Sequence, residues 1–134
     1  MPPAPPHQPG IVPGPVAQAI ARQRAIRYFT AEPVTDADLA VILDTAYHTG
    51  TERNRQRWAA IVITDPAQRH ELASCGNHSR PIQAAPLVLA LVQEADGYEF
   101  GTGRIAQNIM IIATALGLAT CLVTLHHDNR ARAF

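Results

Sequence analysis

The chain contains no lysine: its eleven basic residues are all arginine and are matched by eleven Asp and Glu, so the formal net charge at pH 7 is zero. That balance argues against a binder of nucleic-acid backbones or of anionic membrane surfaces and favours a small partner. The arginine bias is read first as genomic base composition. Aromatic residues make up only 5% of the sequence. Arg53, Arg55 and Arg57 would share one face if extended, but without interleaved aromatics or net basic charge they read as a solvated stripe and not as a base-stacking platform. Cysteine is scarce too. Cys75 and Cys121 stand alone, and the N-terminus lacks the charged start and apolar run of a secretion signal, so free thiols in the cytoplasm are expected. No apolar run has the length and purity of a membrane span. Residues 105–125 come nearest, and Gln107, Asn108, Thr114 and Gly117 mark that stretch as core helix and strand.

What is present is one domain's worth of patterned sequence, 134 residues with room for a modest core. Seven prolines in the first fifteen residues make 1–15 a disordered or polyproline-like tail, leaving 16–134 as the folded domain. Val16, Ala19, Ile20 and Gln23 trace the inner stripe of a first helix over 16–25. Thr35 with Asp38 opens a second, whose inner face is Leu39, Ile42, Leu43 and Ala46. The run 58–64 reads as a buried strand, and Asp65 with Pro66 starts a short helix through Ala73, closed by Gly76 and Asn77. After a loop holding His78, Ser79, Arg80 and Pro81, the run 87–92 reads as a central strand. The longest helix opens at Thr102 or Gly103 and stops at Gly117, and 119–125 reads as a third strand. Ile105, Ala106, Ile109, Met110, Ile112, Ala113 and Leu116 cover more than one face of that helix, so a second copy of the chain is expected to bury what one copy cannot. The architecture expected is α+β, a small mixed sheet flanked by helices around a long buried central helix.

The chemistry concentrates in two segments. In Thr49 to Trp58, TGTERNRQRW, the amides of Asn54 and Gln56 and the indole of Trp58 alternate ahead of an apolar run, an arrangement that can read a flat heteroaromatic edge. Upstream, Gln23 to Phe29, QRAIRYF, carries guanidinium groups at Arg24 and Arg27, with Arg22 just before it. Planar guanidinium forks suit a phosphate. A ring reader and a phosphate gripper together describe a flavin mononucleotide site.

These segments resemble the FMN-dependent nitroreductase family, which carries RRSxRxF near its start and APSxxNxQPW after its second helix. A third likeness is Phe100 to Cys121, FGTGRIAQNIMIIATALGLATC, similar to the family's AQNxMxxAxxLGL helix and following strand. Carried over by position, the cofactor-binding set implied by the resemblance is Arg22, Gln23, Arg24, Ala25, Arg27, Thr49, Gly50, Thr51, Asn54, Gln56, Val123 and Thr124. Gln23 and Ala25 replace an Arg and the Ser, Arg22 stands where it can compensate, and Thr51 keeps a hydroxyl in place of Ser. Arg57 stands where the family has Pro. Trp58 is read as core. Val123 and Thr124 belong to the segment that lays main chain against the flavin. The family closes its sheet with C-terminal segments exchanged between subunits, and this sequence stops at Phe134 before any counterpart, so the fold is expected to be incomplete at its C-terminus.

The resemblance implies an oxidoreductase, acting as a homodimer, that passes hydride from NAD(P)H through FMN to an electron-poor acceptor such as a nitroaromatic or a quinone. The cofactor carries that chemistry, so no catalytic acid, base or nucleophile is required of the protein. Cys75 near His78 is the nearest approach to a nucleophile pair and reads as inert. His126, His127 and Asp128 lack the spacing of a metal site. Gln107 and Asn108 read as buried hydrogen-bonding residues. The alternative is a catalytically idle relative that dimerises or sequesters flavin.

Overall fold

A computed structural model of the chain describes residues 14–125. The elements in order are α1 (Pro15–Arg22), α2 (Asp36–Tyr47), a 3₁₀ turn (Glu52–Asn54), β1 (Trp58–Ile63), α3 (Pro66–Ala73), α4 (Arg80–Ala84), β2 (Val88–Gln93) and α5 (Glu99–Ala115). Most of the proline-rich segment lies outside the described residues, and Pro15 is already the first residue of α1, a position where its missing N–H costs nothing.

Local chemistry sets the helix starts. Thr35 Oγ1 accepts the backbone N–H of Asp38 at 3.1 Å and donates to the Asp38 carboxylate at 2.8 Å, so the Thr35 side chain caps α2 and Asp38 holds it in place. Asp65 Oδ1 accepts the N–H groups of Ala67 and Gln68 at 2.7 and 3.0 Å, and Pro66 begins α3 as expected. At the other end of α5, Gly117 takes φ +81°, which lets Gly117 N–H reach Thr114 O and Leu118 N–H reach Ala113 O. This closes the helix with a left-handed residue that glycine adopts without strain.

Several expected caps and boundaries move. Helix α3 ends at Ala73 as expected, but Ser74 caps it and Gly76 does not. Gly76 serves close packing instead: a Cβ there would meet Leu125 Cδ2 at 2.8 Å. The loop expected at Arg80 contains α4, only five residues long and too short to show a period in sequence. Helix α5 begins at Glu99, three residues ahead of the start expected at Thr102 or Gly103, so Gly101 and Gly103 lie within its first turns.

Strands β1 and β2 pair antiparallel from Trp58↔Gln93 to Ile63↔Val88. On one face, Ile63 packs with Leu72 and Ala73 of α3 and Ile82 of α4, joined by Val88, Ala90, Val123 and Leu125. The expected third strand at 119–125 is corrected: among the described residues it makes a single parallel bridge, Thr120 to Ala25, with Ile26 N–H donating to Thr120 O at 2.8 Å. Its side chains follow the packing and its backbone does not join the β1–β2 ladder.

Helix α5 packs on α1, α2 and β2. It buries Ile105, Ala106 and Ala113, against Ala19 of α1 and Ile42 and Ala46 of α2 among the core residues. Ile109, Met110, Ile111 and Ile112 are half-buried in the single chain. The inner stripe expected for α1 is half right: Ala19 is buried and Gln23 half-buried, while Val16 and Ile20 are 69% and 51% exposed.

Truncation of Ile63 to Ala should lower unfolding free energy by about 2–5 kcal/mol in urea denaturation, since the side chain is among the most completely buried and a cavity would remain. Asp65→Ala should cost about 0.5–2 kcal/mol by the same measurement, through loss of the two cap hydrogen bonds.

Candidate functional site

The segment leading into β1 is held from α5. Thr49, buried, donates its hydroxyl to Thr45 O at 3.1 Å and accepts Asn108 Nδ2 at 2.9 Å. One helical turn away, Arg104 donates to Gly50 O at 3.0 Å. Asn108 is the hydrogen-bonding residue expected, though half-buried, whereas Gln107, expected to be buried with it, is exposed. Thr49 and Gly50 serve to fix where the next residues begin.

From Thr51 the chain coils. Asn54 N–H donates to Thr51 O and Arg55 N–H to Glu52 O, both at 3.1 Å, and Gln56 N–H donates to Thr51 Oγ1 at 3.1 Å. Arg53, Asn54 and Gln56 take φ of 51°, 54° and 47°. The extended alternation expected for Asn54, Gln56 and Trp58 is therefore replaced by a compact left-handed loop. Each such residue other than glycine costs roughly 1–2 kcal/mol, with Asn the most tolerant. The two amides meet all the same, Gln56 Nε2 donating to Asn54 Oδ1 at 3.4 Å. Thr51 and Gln56 line a shallow open cleft with Trp58, Arg55, Tyr98 and Ile105, so Trp58 forms a wall of the cleft as well as the start of the sheet. Asn54 stays exposed outside it.

The arginines of this loop do not form a stripe. Arg53 pairs with Glu52 at 3.8 Å, Arg57 pairs with Glu94 at 3.7 Å and with Asp96, and Arg55 faces the cleft without a carboxylate partner among the described residues.

The basic segment is likewise dispersed. Arg22 closes α1, and Gln23 caps it while its Nε2 approaches Met110 Sδ at 3.7 Å. Arg24 turns back to donate to Ala21 O and Gln23 O at 2.8 and 2.7 Å, occupying its guanidinium with the helix end. Ala25 is taken up by the bridge to Thr120, whose buried Oγ1 has no partner. Arg27 alone of the three reaches an open cleft, of about 420 Å³, which it shares with Tyr28, Asn77, His78, Arg80 and Pro81. Neither Arg27 nor Arg80 has a carboxylate partner among the described residues, and no carboxylate lines the cleft. Two uncompensated guanidiniums with an imidazole and an amide make an anion-accepting surface. Asn77, His78 and Arg80 escaped the sequence reading, because nothing in their spacing ties them to Arg27; the parallel bridge at Ala25 and the turn into α4 do so.

Val123 is half-buried and packs on the sheet core, and Thr124 beside it is exposed. Cys75 is buried with its thiol toward Glu71 O at 3.7 Å, and both cysteines are free. No group of three metal-ligating side chains occurs among the described residues, and His126, His127 and Asp128 lie outside them.

The model of the nitroreductase family matches residues 20–101, more than half of the chain. The chain belongs to the nitroreductase family. It is 30% identical over 122 residues to the oxygen-insensitive NADPH nitroreductase of Salmonella typhimurium, covering 78% of this chain and 51% of that one. It is 30% identical over 78 residues to an NADH dehydrogenase of Thermus thermophilus, covering 58% of this chain and 38% of the relative. This nitroreductase-family chain therefore spans about half the length, or less, of these two relatives. Among solved structures, an FMN-dependent nitroreductase of Clostridium difficile superposes with a TM-score of 0.77 at 20% identity, covering 84% of this chain and 68% of that one. A Desulfovibrio desulfuricans structure solved in complex with FMN gives 0.76 at 24%, covering 85% and 70%. The nitroreductase-like α+β fold expected from sequence is the fold observed.

Thr49→Val should leave the Asn108 amide without its acceptor and cost about 1–3 kcal/mol in thermal or chemical unfolding, a loss that Thr49→Ser should largely avoid.

Proposed function

We propose that the chain is a flavin-dependent oxidoreductase that holds FMN between an anion-accepting cleft and an amide-bearing loop. The observation that carries this reading is the cleft where Arg27 and Arg80 converge with His78 and Asn77 and with no carboxylate to neutralise them. Two guanidiniums lining one cleft without a carboxylate favour an anion there, and the phosphate oxygens of FMN would supply that charge. Thr51, Asn54 and Gln56 offer a hydroxyl and two amides, the donor and acceptor set needed for the edge of an isoalloxazine ring. The donor set fits the cofactor. Gln23, Arg24 and Ala25 are committed to the helix end and to the bridge, so in this reading they shape the site from behind while Arg22 and Arg27 remain available for charge. The unpartnered hydroxyl of Thr120, next to that bridge, adds a buried donor on the same side. Val123 and Thr124 contribute main chain.

When bound, FMN would supply hydride transfer, accepting from NAD(P)H and delivering to an electron-poor acceptor such as a nitroaromatic or a quinone. The protein's part is to orient the ring through Thr51, Asn54 and Gln56, to neutralise charge at Arg27 and Arg80, and to leave one face open through the clefts. The two relatives 30% identical to the chain are named for NADPH and for NADH, which supports a nicotinamide donor without choosing between the two.

The loop and the Arg27 cleft share no lining residue within one chain. A homodimer reconciles them, one copy presenting its loop to the other's cleft, and the apolar surface for such a dimer is present: Val16 and Ile20 on α1, Tyr47 on α2 and the half-buried Ile109–Ile112 stretch of α5. Free thiols at Cys75 and Cys121 accord with the cytoplasm as its location. The same separation of the two half-sites favours, as a second reading, a module that binds flavin or dimerises without turnover.

The test is FMN titration of the purified protein by flavin fluorescence and absorbance after desalting, with mass in solution and NAD(P)H oxidation followed in parallel. Near-stoichiometric flavin in a dimer that oxidises NAD(P)H supports the reductase, bound flavin without oxidation supports the idle module, and no flavin removes both flavin-binding readings. Arg27→Ala, Arg80→Ala and Asn54→Ala should each weaken FMN retention about tenfold or more, as expected for loss of about 1.4 kcal/mol, whereas His48→Ala on α2 should not.

A further inference from the structure

The loop that carries Thr51, Asn54 and Gln56 has a fastening that the sequence motif does not contain. Three of its residues hold left-handed φ values, and its own hydrogen bonds, Asn54 to Thr51, Arg55 to Glu52 and Gln56 to the Thr51 hydroxyl, are all internal. Internal bonds curl a loop without fixing it to the domain. Of its arginines, Arg53 pairs within the loop and Arg55 pairs with no carboxylate among the described residues. Arg57 is different: its Nε lies 3.7 Å from Glu94 Oε2, and its guanidinium also pairs with Asp96. Glu94 N–H donates back to Arg57 O at 3.2 Å, so main chain and side chain close on the same point.

The turn that receives Arg57 is shaped for it. Gly97 N–H donates to Glu94 O at 2.7 Å, and a Cβ at Gly97 would stand 2.8 Å from that oxygen and 3.0 Å from Gln93 Cβ. Only glycine permits so tight a return, and the return puts Glu94 and Asp96 on one side of a short turn after β2. Arg57 is less exposed than either carboxylate, at 34% against 65% and 69% for the side chains, so its guanidinium is the inner member of a three-charge network and not a lone surface pair. Where the family motif has Pro, which stiffens a loop through the backbone, this chain has a charge that stiffens it through a neighbouring turn.

We propose that Arg57 is a positioning residue: by pairing with Glu94 and Asp96 it holds the left-handed Arg53–Gln56 loop in place and so sets the hydroxyl and amides that meet the flavin ring. The proposal deepens the flavin reading and rests on it for its ligand, while the state of the loop can be read without any ligand. The loop carries its own reporters, since trypsin cleaves after Arg53 and Arg55 only where the backbone can unfold into its active site.

The experiment compares wild type with Glu94→Gln/Asp96→Asn and with the exchange Arg57→Asp/Asp96→Arg. Cleavage after Arg53 and Arg55 is followed by mass spectrometry without flavin, and FMN and riboflavin affinity by fluorescence. Neutralising both carboxylates, which leaves every loop residue intact, should speed cleavage at least fivefold and raise the dissociation constants of FMN and riboflavin by a similar factor, because the defect lies at the ring and not at the phosphate. The exchange should restore slow cleavage and affinity in part. Cleavage and affinity unchanged in the neutralised variant overturn the proposal, as does a loss for FMN that riboflavin does not share. Wild type that binds neither flavin overturns the function proposed for the site and the ring-positioning role with it, and the cleavage rates still decide whether Arg57 holds the loop.

Discussion

Burial of α5 is the constraint on which the other parts depend. The helix presents apolar residues around most of its girth, and a single chain covers only some of them: Ile105, Ala106 and Ala113 are sealed by α1, α2 and the sheet, while Ile109 to Ile112 remain half in solvent. Its register dictates where Arg104 and Asn108 fall, and those two polar side chains leave the apolar helix to catch Gly50 and Thr49. The placement of the amide-bearing loop is thus a consequence of how the central helix packs.

The distribution of charge follows a different logic. With arginine as the only strong base, every basic position carries a planar fork, and the fold sorts these forks by whether an acceptor is near. Arg24 finds the carbonyls that end α1, Arg69 the Ala85 carbonyl at the end of α4, Arg104 the Gly50 carbonyl and Arg57 two carboxylates. Arg27 and Arg80 line one cleft with no acid among its lining residues. In a chain of zero formal charge, such a local excess is the electrostatic feature that most plainly asks for an anion.

Sequence reasoning read some of this well, and the divisions are physical. Thr35, Asp65 and Gly117 act through their nearest neighbours in the chain, so their roles as caps and stop follow from residue type and a spacing of a few positions. The buried pair Ile42 and Ala46 follows from a helical period over twelve residues. The misreadings share the opposite property. Thr102 or Gly103 reads as a helix start, and α5 begins ahead of both at Glu99; 119–125 has the composition of a strand, but a strand exists only where a neighbour offers its backbone. Asn54 and Gln56 alternate in sequence, and their backbone N–H groups, donating to the Thr51 carbonyl and the Thr51 hydroxyl, coil them into a turn.

By itself the sequence determined the α+β class, most of the helix and strand positions and membership of the nitroreductase family, because these rest on local propensity, hydrophobic period and ordered motifs. Only the tertiary structure decided that Arg27 shares a cleft with Arg80 and His78, and that Arg57 pairs with the turn after β2. Those meetings join residues about thirty to fifty positions apart, and contacts at that separation are set by packing and backbone pairing, which no local pattern encodes.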